Sequence, residues 1–176
     1  MKKISSALIS VFNKNKIDHL CQILLHNNVK IYSTGGTYDY IDNLGIKVEK
    51  VEDITTYPSI LNGRVKTLHP KIFGGILKTN SKSDIDESKK YEIPDIDLVI
   101  VDLYPFEETV KKSNNHKDII EKIDIGGISL IRAAAKNYEN VTCISSKDQY
   151  DELISILKND CKTDIKYRKR LAFEAF

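Results

Sequence analysis

The chain has 176 residues, of which 41% are hydrophobic and 30% charged, and its formal net charge is +2. This length and composition are typical of one globular domain and exclude a disordered chain, while the small net charge argues against general binding to nucleic acid or to a membrane surface. Three widely spaced cysteines, together with a short polar N-terminus and no long apolar run, predict a cytoplasmic protein with reduced thiols.

Strand and helix patterns alternate along the first part of the chain. The apolar run 6–11 predicts a buried strand, and apolar residues at helical spacing over 17–25 predict a helix. A second strand is predicted over 29–32. The helix after it is expected to stop at Gly45, and a third strand is predicted over 46–51.

The alternation continues after a long middle segment. Residues 53–77 are predicted to be mostly loop, with a possible strand near their end. The remaining predicted elements are, in chain order, an exposed helix over 81–91, a buried strand over 97–103, a helix from Gly127, a strand over 141–144, and helices over 149–157 and from Thr163. This order predicts one α/β domain with an open parallel sheet between helices, in which ligands bind beyond the carboxyl ends of the strands.

A basic segment, 63–75, is the most informative stretch. It places four potentially cationic side chains within eight positions, namely Arg64, Lys66, His69 and Lys71. Because Pro70 and the closing glycine pair oppose a helix, the segment predicts a rigid loop that holds cations around a phosphate or carboxylate. The alternative is a solvated basic surface loop.

Three further segments follow predicted strands. The turn 33–37 contains two glycines and two threonines before a helix, which favours an anion-binding turn, although glycine here can serve geometry alone. Lys14, in the segment 10–14, can reach an anion at the same edge or be a solvated lysine. Tyr104 follows the most apolar strand and offers a hydroxyl, although a tyrosine before proline more often packs.

The segment 123–136 joins an acid, a double glycine and a helix that ends in a lysine. Asp124 and Lys136 are candidates for an acid–base pair. The alternative makes Asp124 a helix cap and Lys136 a partner of the helix dipole. No arrangement of serine or cysteine with histidine and acid suggests nucleophilic hydrolysis.

These segments together resemble the N-terminal inosine monophosphate (IMP) cyclohydrolase domain of the bifunctional purine biosynthesis enzymes, which also contain an AICAR transformylase. The motifs that carry the resemblance are 33–37, 63–70, 103–106, 123–127 and 132–137. It implies a methylglyoxal-synthase-like, three-layer α/β fold with a mainly parallel central sheet. It also implies closure of formyl-AICAR (FAICAR) to IMP with loss of water, with neither metal nor organic cofactor.

The resemblance also implies roles for individual residues. The implied catalytic residues are Lys66, Tyr104, Asp124 and Lys136. Lys136 would donate and accept protons, with its pKa lowered by Lys14, Arg64 and Lys66. The implied substrate-binding residues are Ser10, Phe12, Asn13, Lys14, Thr34, Gly35, Gly36, Thr37, Arg64, Thr67, Val101, Asp102, Ile125 and Gly126, among which the turn 34–37 would hold the 5′-phosphate.

The chain departs from the family pattern at two positions and in its extent. Phe12 stands where a serine is usual, which removes a hydroxyl, and Asp102 stands where an asparagine is usual, which removes two N–H donors. We expect residues 1–176 to be a cyclohydrolase domain cut inside its last helix, without the transformylase domain. 10-Formyltetrahydrofolate would be needed only by that domain, and a homodimer is expected.

Three other readings are open. A methylglyoxal synthase would turn over dihydroxyacetone phosphate. A non-catalytic regulatory module, like that of carbamoyl phosphate synthetase, would bind nucleotide or phosphate without turnover. An inactive remnant that packs against a partner would do neither.

Overall fold

The computed structural model describes residues 1–176 and contains seven strands and ten α-helices. The strands are β1 (Lys2–Lys3), β2 (Ser6–Val11), β3 (Lys30–Ser33), β4 (Glu49–Lys50), β5 (Leu98–Asp102), β6 (Thr142–Ile144) and β7 (Lys162–Thr163). The helices are α1 (Ile17–His26), α2 (Gly35–Asn43), α3 (Val51–Thr55), α4 (Pro70–Leu77), α5 (Lys82–Lys90), α6 (Phe106–Lys112), α7 (His116–Ile120), α8 (Ile125–Lys136), α9 (Tyr150–Asn159) and α10 (Ile165–Ala175). No helix combines the length and the apolar character needed to cross a membrane.

Five strands form one parallel sheet in the order β4-β3-β2-β5-β6, and β1 pairs with β7 in a separate antiparallel ribbon. β2 lies at the centre, where Ala7 pairs with Ile31 of β3 and with Leu98 of β5. The carboxyl ends of the parallel strands therefore meet at one edge of the sheet. The predicted parallel sheet is confirmed.

Each face of the sheet is covered by its own apolar core. In β2, Ala7 and Ile9 belong to the core shared with α1 and α9, while Leu8 belongs to the core shared with α4 and α8. β5 divides in the same way, since successive side chains of a strand point to opposite faces. β2 and β5 are thus buried on both faces, as their largely apolar runs predicted. All three cysteines are free and lie in these cores.

The middle of the chain is more helical than predicted. The strand expected over 46–51 is reduced to β4, because Val51 already begins α3. The expected strand near Leu77 is wrong, since α4 occupies that position. Helices α6 and α7 were not predicted, because their charged and polar sequences show little apolar periodicity.

The basic segment is a loop only as far as His69, so the prediction that it stays a loop to Gly75 is wrong. Pro70 occupies the first position of α4, where a missing N–H is tolerated, and His69 Nδ1 accepts a hydrogen bond from the Lys71 N–H at 3.2 Å. Gly75 lies inside this helix, and glycine is needed there because a Cβ would come within 2.7 Å of the Pro94 carbonyl oxygen. The glycine pair thus allows close packing and does not end the helix.

A buried arginine fastens α10 to the rest of the fold. Arg168 is 4% exposed, and its guanidinium donates to the carbonyl oxygens of Tyr138 at 2.8 Å, Glu139 at 2.9 Å and Thr163 at 2.6 Å. Burial lowers the pKa of Arg168 below its usual value. The hydrogen bonds connect α10 to the turn after α8 and to β7.

Candidate active site

Two adjoining clefts lie at the carboxyl edge of the parallel sheet. The first cleft has a volume of about 310 Å³, and the predicted residues that line it alone are Phe12, Lys14, Thr34, Gly36, Thr37 and Asp102. The second cleft has a volume of about 670 Å³, and the predicted residues that line it alone are Arg64, Thr67, Ile125 and Gly126. Ser10, Lys66, Tyr104 and Asp124 line both clefts and so form the junction between them.

The first cleft reaches the N-terminus of α2, which no side chain caps. Thr34 occupies the N-cap position, but its hydroxyl donates to Glu52 Oε1 at 2.9 Å and accepts nothing from the first turn. Gly35 follows with φ at 52°, a left-handed conformation that suits glycine. The first N–H groups of a helix have no partner within it, and the helix dipole favours negative charge there. The turn 34–37 therefore offers free N–H donors to an anion.

Lys14 adds a positive charge to this end of the first cleft. Its ammonium donates to the carbonyl oxygens of Val11 and Phe12, at 3.2 Å for Phe12, so the side chain folds back over its own loop. Burial lowers the pKa of Lys14, and the negative charge of Asp102 opposes this shift. Asp102 Oδ2 also accepts the Asn13 N–H at 2.8 Å. Asp102 thus holds the loop of Lys14 in place and supports its charge.

Lys66 lies between the turn 34–37 and the junction of the clefts. A Cβ at Gly35 would lie 2.8 Å from the Lys66 ammonium, and one at Gly63 would lie 3.9 Å from it. The ammonium therefore rests on the backbone at the start of α2. From this position it can reach an anion at that turn and a group at the junction.

Tyr104 is held at the junction by two neighbours. Its ring meets the Phe12 ring edge-on, with centroids 5.4 Å apart, and the Lys122 ammonium lies 5.1 Å from the Tyr104 centroid and 5.5 Å from that of Phe12. Aromatic pairs and cation–π contacts of this geometry are attractive. The Phe12 ring therefore helps to orient Tyr104.

Asp124 is the N-cap of α8 at the floor of the junction. Its Oδ1 accepts the Gly127 N–H at 2.6 Å, and a Cβ at Gly127 would lie 2.5 Å from Oδ2. The cap interpretation of Asp124 is thus correct, and the same carboxylate also lines both clefts. Gly127 is needed here because any side chain would displace that carboxylate.

Arg64 and Glu121 form an ion pair within the lining of the second cleft. Both side chains are more than half exposed, at 60% and 54%, and exposed pairs of this kind contribute little to stability. Arg64 can therefore exchange Glu121 for another anion or carbonyl at low cost.

Three predicted residues lie outside the linings of the clefts but beside them. Asn13 faces solvent and contributes its backbone N–H to Asp102. Gly35 lies beneath Lys66. Val101 is 1% exposed with its side chain in the core, which leaves only its backbone for contact with a ligand.

Lys136 lies far from both clefts. It is the last residue of α8 and is exposed, whereas Asp124 caps the first turn of that helix. With a rise of 1.5 Å per residue, the twelve-residue separation is roughly 18 Å. Within one chain, Asp124 and Lys136 therefore do not form the predicted acid–base pair. The expected position of Lys136 beside Lys14, Arg64 and Lys66 is also not found within one chain.

Three residues of the site were missed. Glu121 pairs with Arg64, Lys122 packs on Tyr104, and Glu52 accepts from Thr34. Glu121 and Lys122 follow the unpredicted α7, and no motif surrounds Glu52. Near Glu121 and Lys122, the only sequence signal of a site was the double glycine that follows Asp124.

Comparison with known proteins identifies relatives that match almost all of this chain. The sequence model of the MGS-like domain family matches residues 16–129, and that of the AICARFT/IMPCHase bienzyme matches residues 134–176. The bifunctional purine biosynthesis protein PurH of Bacteroides thetaiotaomicron is 54% identical over 99% of this chain and 35% of its own length. PurH of Aquifex aeolicus is 47% identical over 97% of this chain and 34% of its own length. The crystal structure of ForH superposes with a TM-score of 0.84 and 34% identity, over 98% of this chain and 92% of that chain.

The fold and the clefts define an α/β domain with an uncapped helix N-terminus at the carboxyl edge of a parallel sheet. The chain belongs to the family of MGS-like domains, and its last part continues into a match with the AICARFT/IMPCHase bienzyme. The predicted fold and the resemblance to the bifunctional purine biosynthesis enzymes are confirmed. The chain spans about 35% of the length of the PurH relatives it matches.

Proposed function

We propose that this chain is an IMP cyclohydrolase, which closes FAICAR to IMP with loss of water. The observation that carries the proposal is the pair of joined clefts, with an anion-binding turn in the first and Lys66, Tyr104 and Asp124 at the junction. A nucleoside monophosphate has the same division into an anionic phosphate and a planar base. Similarity to bifunctional purine biosynthesis proteins supports the proposal, and these relatives give no support to a regulatory module.

The 5′-phosphate is placed at the turn 34–37. The open N–H groups of α2 and the ammonium of Lys14 supply hydrogen bonds and positive charge, and helix N-termini bind phosphates widely. The base then extends past the junction into the second cleft, where Thr67, Ile125 and Gly126 form part of the lining. Arg64 would give up its ion pair with Glu121 and contact the base.

Ring closure needs little beyond orientation and proton transfer. The carboxamide nitrogen bonds to the formyl carbon, the carboxamide and formamide nitrogens each give up one proton, and the formyl oxygen leaves as water. Nucleophile and electrophile belong to one molecule, so holding the reactive conformer removes much of the barrier. Lys66 would stabilise the negative charge that develops on the formyl oxygen, with Tyr104 and Asp124 nearby for proton transfer.

A catalytic role for Lys136 requires a second copy of the chain. The exposed stripe of α8 runs from Ile125 through Ile128 and Arg132 to Lys136, so an antiparallel copy of α8 would bring its Lys136 to the Asp124 end. The proposed catalytic role of Lys136 therefore depends on the proposed homodimer. Mixing the Lys66→Ala and Lys136→Ala variants, each with low turnover, should then raise turnover, because hybrid dimers contain one site with both lysines. If turnover does not rise, Lys136 is not supplied by the second copy and its catalytic role fails.

The proposal extends to the setting of the enzyme. It includes no metal or organic cofactor for ring closure, a cytoplasmic location, and binding of neither nucleic acid nor membranes. A transformylase domain that uses 10-formyltetrahydrofolate would follow in the full-length protein, in keeping with the bifunctional relatives.

The direct test is turnover of FAICAR by the purified chain, followed through the ultraviolet absorbance of IMP. We expect IMP to form without added metal or folate. Dihydroxyacetone phosphate serves as the competing substrate, and its turnover in place of FAICAR would indicate a methylglyoxal synthase. Tight binding of IMP with no turnover of either compound would instead support a regulatory module.

Binding of IMP should weaken at alkaline pH. Burial lowers the pKa of Lys14 below 10.5, so its charge, and with it the affinity for phosphate, is lost as the pH rises through that lowered value. Asp102→Asn removes the charge that opposes the shift, so the loss should begin at a lower pH. Titration calorimetry between pH 7 and 10 measures the effect.

Lys14→Arg is the control, because arginine keeps its charge throughout this range. The alkaline loss should shrink in that variant. An unchanged profile would show that the loss does not come from Lys14.

A further inference from the structure

Glu52 in α3 places a carboxylate beside the turn 34–37, where the proposed function places a phosphate. One of its carboxylate oxygens accepts the Thr34 hydroxyl at 2.9 Å, and the other, Oε2, is buried without any hydrogen-bond partner. A buried acceptor without a partner is unfavourable, and such a group in a native structure calls for an explanation. A negative charge beside an anion-binding turn also opposes anion binding. The Thr34 hydroxyl is therefore the only hydrogen-bond partner of the Glu52 carboxylate.

The contact with Thr34 supplies an explanation. A threonine at the N-cap normally accepts a hydrogen bond from the second or third N–H of its helix. Here the threonine hydroxyl makes no such bond, although Thr34 has the extended backbone of an N-cap residue, with φ at −147° and ψ at 158°. In the position in which the hydroxyl donates to Glu52, its oxygen accepts from no N–H of α2, and the first turn is left without an internal cap.

We propose that Glu52 is a positioning residue that holds the Thr34 hydroxyl away from the first turn of α2 and so keeps its N–H groups open for the substrate phosphate. This inference rests on the proposed function only in taking the ligand to be a phosphate ester. Glu52 acts through Thr34 and does not touch the ligand. When the tether is removed, the hydroxyl can rotate to cap the helix, and the phosphate must then compete with it.

The proposal and simple electrostatics predict opposite signs. Removing an acid near an anion site should strengthen phosphate binding if charge alone matters. In Glu52→Ala we expect binding of IMP and of inorganic phosphate to weaken about fivefold, which corresponds to the usual worth of an N-cap. Glu52→Gln keeps an acceptor for Thr34 without the charge, so it should bind phosphate as well as the wild type or better.

The experiment measures both ligands by calorimetry and follows the Gly35, Gly36 and Thr37 amides by NMR during titration with inorganic phosphate. Asp53→Ala is the matched control, since Asp53 is an exposed acid in the same helix and the Thr34 hydroxyl donates to Glu52. It should bind equally well or slightly better. Adding Thr34→Val to Glu52→Ala removes the competing hydroxyl and should recover part of the lost affinity, which a collapse of α3 would not allow.

The outcomes are separable. The inference is overturned if Glu52→Ala binds phosphate as tightly as the wild type or more tightly. It is also overturned if Glu52→Gln loses as much phosphate affinity as Glu52→Ala, or if the double variant recovers none of the lost affinity. If the wild type binds phosphate with the expected pattern but does not turn over FAICAR, the proposed function fails and the inference stands.

Discussion

Replacing Lys66 with alanine is expected to lower kcat for FAICAR closure by a factor of about 10²–10³ with little change in stability. The ammonium lies at the junction of the two clefts, and a single donor to a developing oxyanion commonly contributes that much. Lys66 also rests on the Gly35 turn, so a smaller rise in KM should accompany the loss. Steady-state kinetics with FAICAR separate the two effects.

Lys71→Ala is the matched control for this variant. Lys71 belongs to the same basic segment, but its ammonium pairs with Glu92 at 3.3 Å and it lines neither cleft. Its kinetics should equal those of the wild type. If Lys66→Ala raises KM and leaves kcat intact, Lys66 serves the phosphate alone and another group must stabilise the formyl oxygen.

Gly35→Ala should reduce both stability and substrate binding. Its φ of 52° is left-handed, and a Cβ there costs about 1–2 kcal/mol. The same Cβ would lie 2.8 Å from the Lys66 ammonium and must push that side chain off the turn. We expect KM for FAICAR to rise roughly tenfold or more, since about 1.4 kcal/mol of lost binding corresponds to tenfold.

Gly36→Ala provides the comparison, because a Cβ at Gly36 meets nothing within 4 Å. Alanine in place of a helical glycine with room for it stabilises by about 0.5–1 kcal/mol. Thermal unfolding should therefore move in opposite directions for the two variants. Equal melting temperatures would show that the turn relaxes to accept a side chain at Gly35.

The strands could be predicted because their signal is local. The runs 6–11 and 97–103 are apolar at most positions, and burial on both faces of a parallel sheet favours that pattern. α4 was missed for the opposite reason. Its two glycines make room for the segment at Ile93 and Pro94, which packs closely against the helix. Nothing near the glycines in the sequence indicates this contact, so in the sequence they indicate a loop.

The candidate site shows the same division. The turn 34–37 and the double glycine after Asp124 carry short signals that follow from backbone geometry. Glu121, by contrast, meets Arg64 across 57 positions, and Glu52 meets Thr34 across 18. Such contacts depend on tertiary packing, and so does the position of Lys136, which the length of α8 moves away from the junction.

The hydrogen bonds of Arg168 limit where the chain can be shortened without disrupting the fold. The two family matches meet between residues 129 and 134, which suggests a boundary there. The boundary falls inside α8, and beyond it β6 completes the sheet against β5 while Arg168 binds three carbonyl oxygens from the turn after α8 and from β7. A shortened chain that stops near residue 130 would lose β6, which leaves the buried strand β5 at the edge of the sheet, and would also lose part of α8. The smallest autonomous unit therefore extends through Arg168, and protease-resistant fragments should retain it.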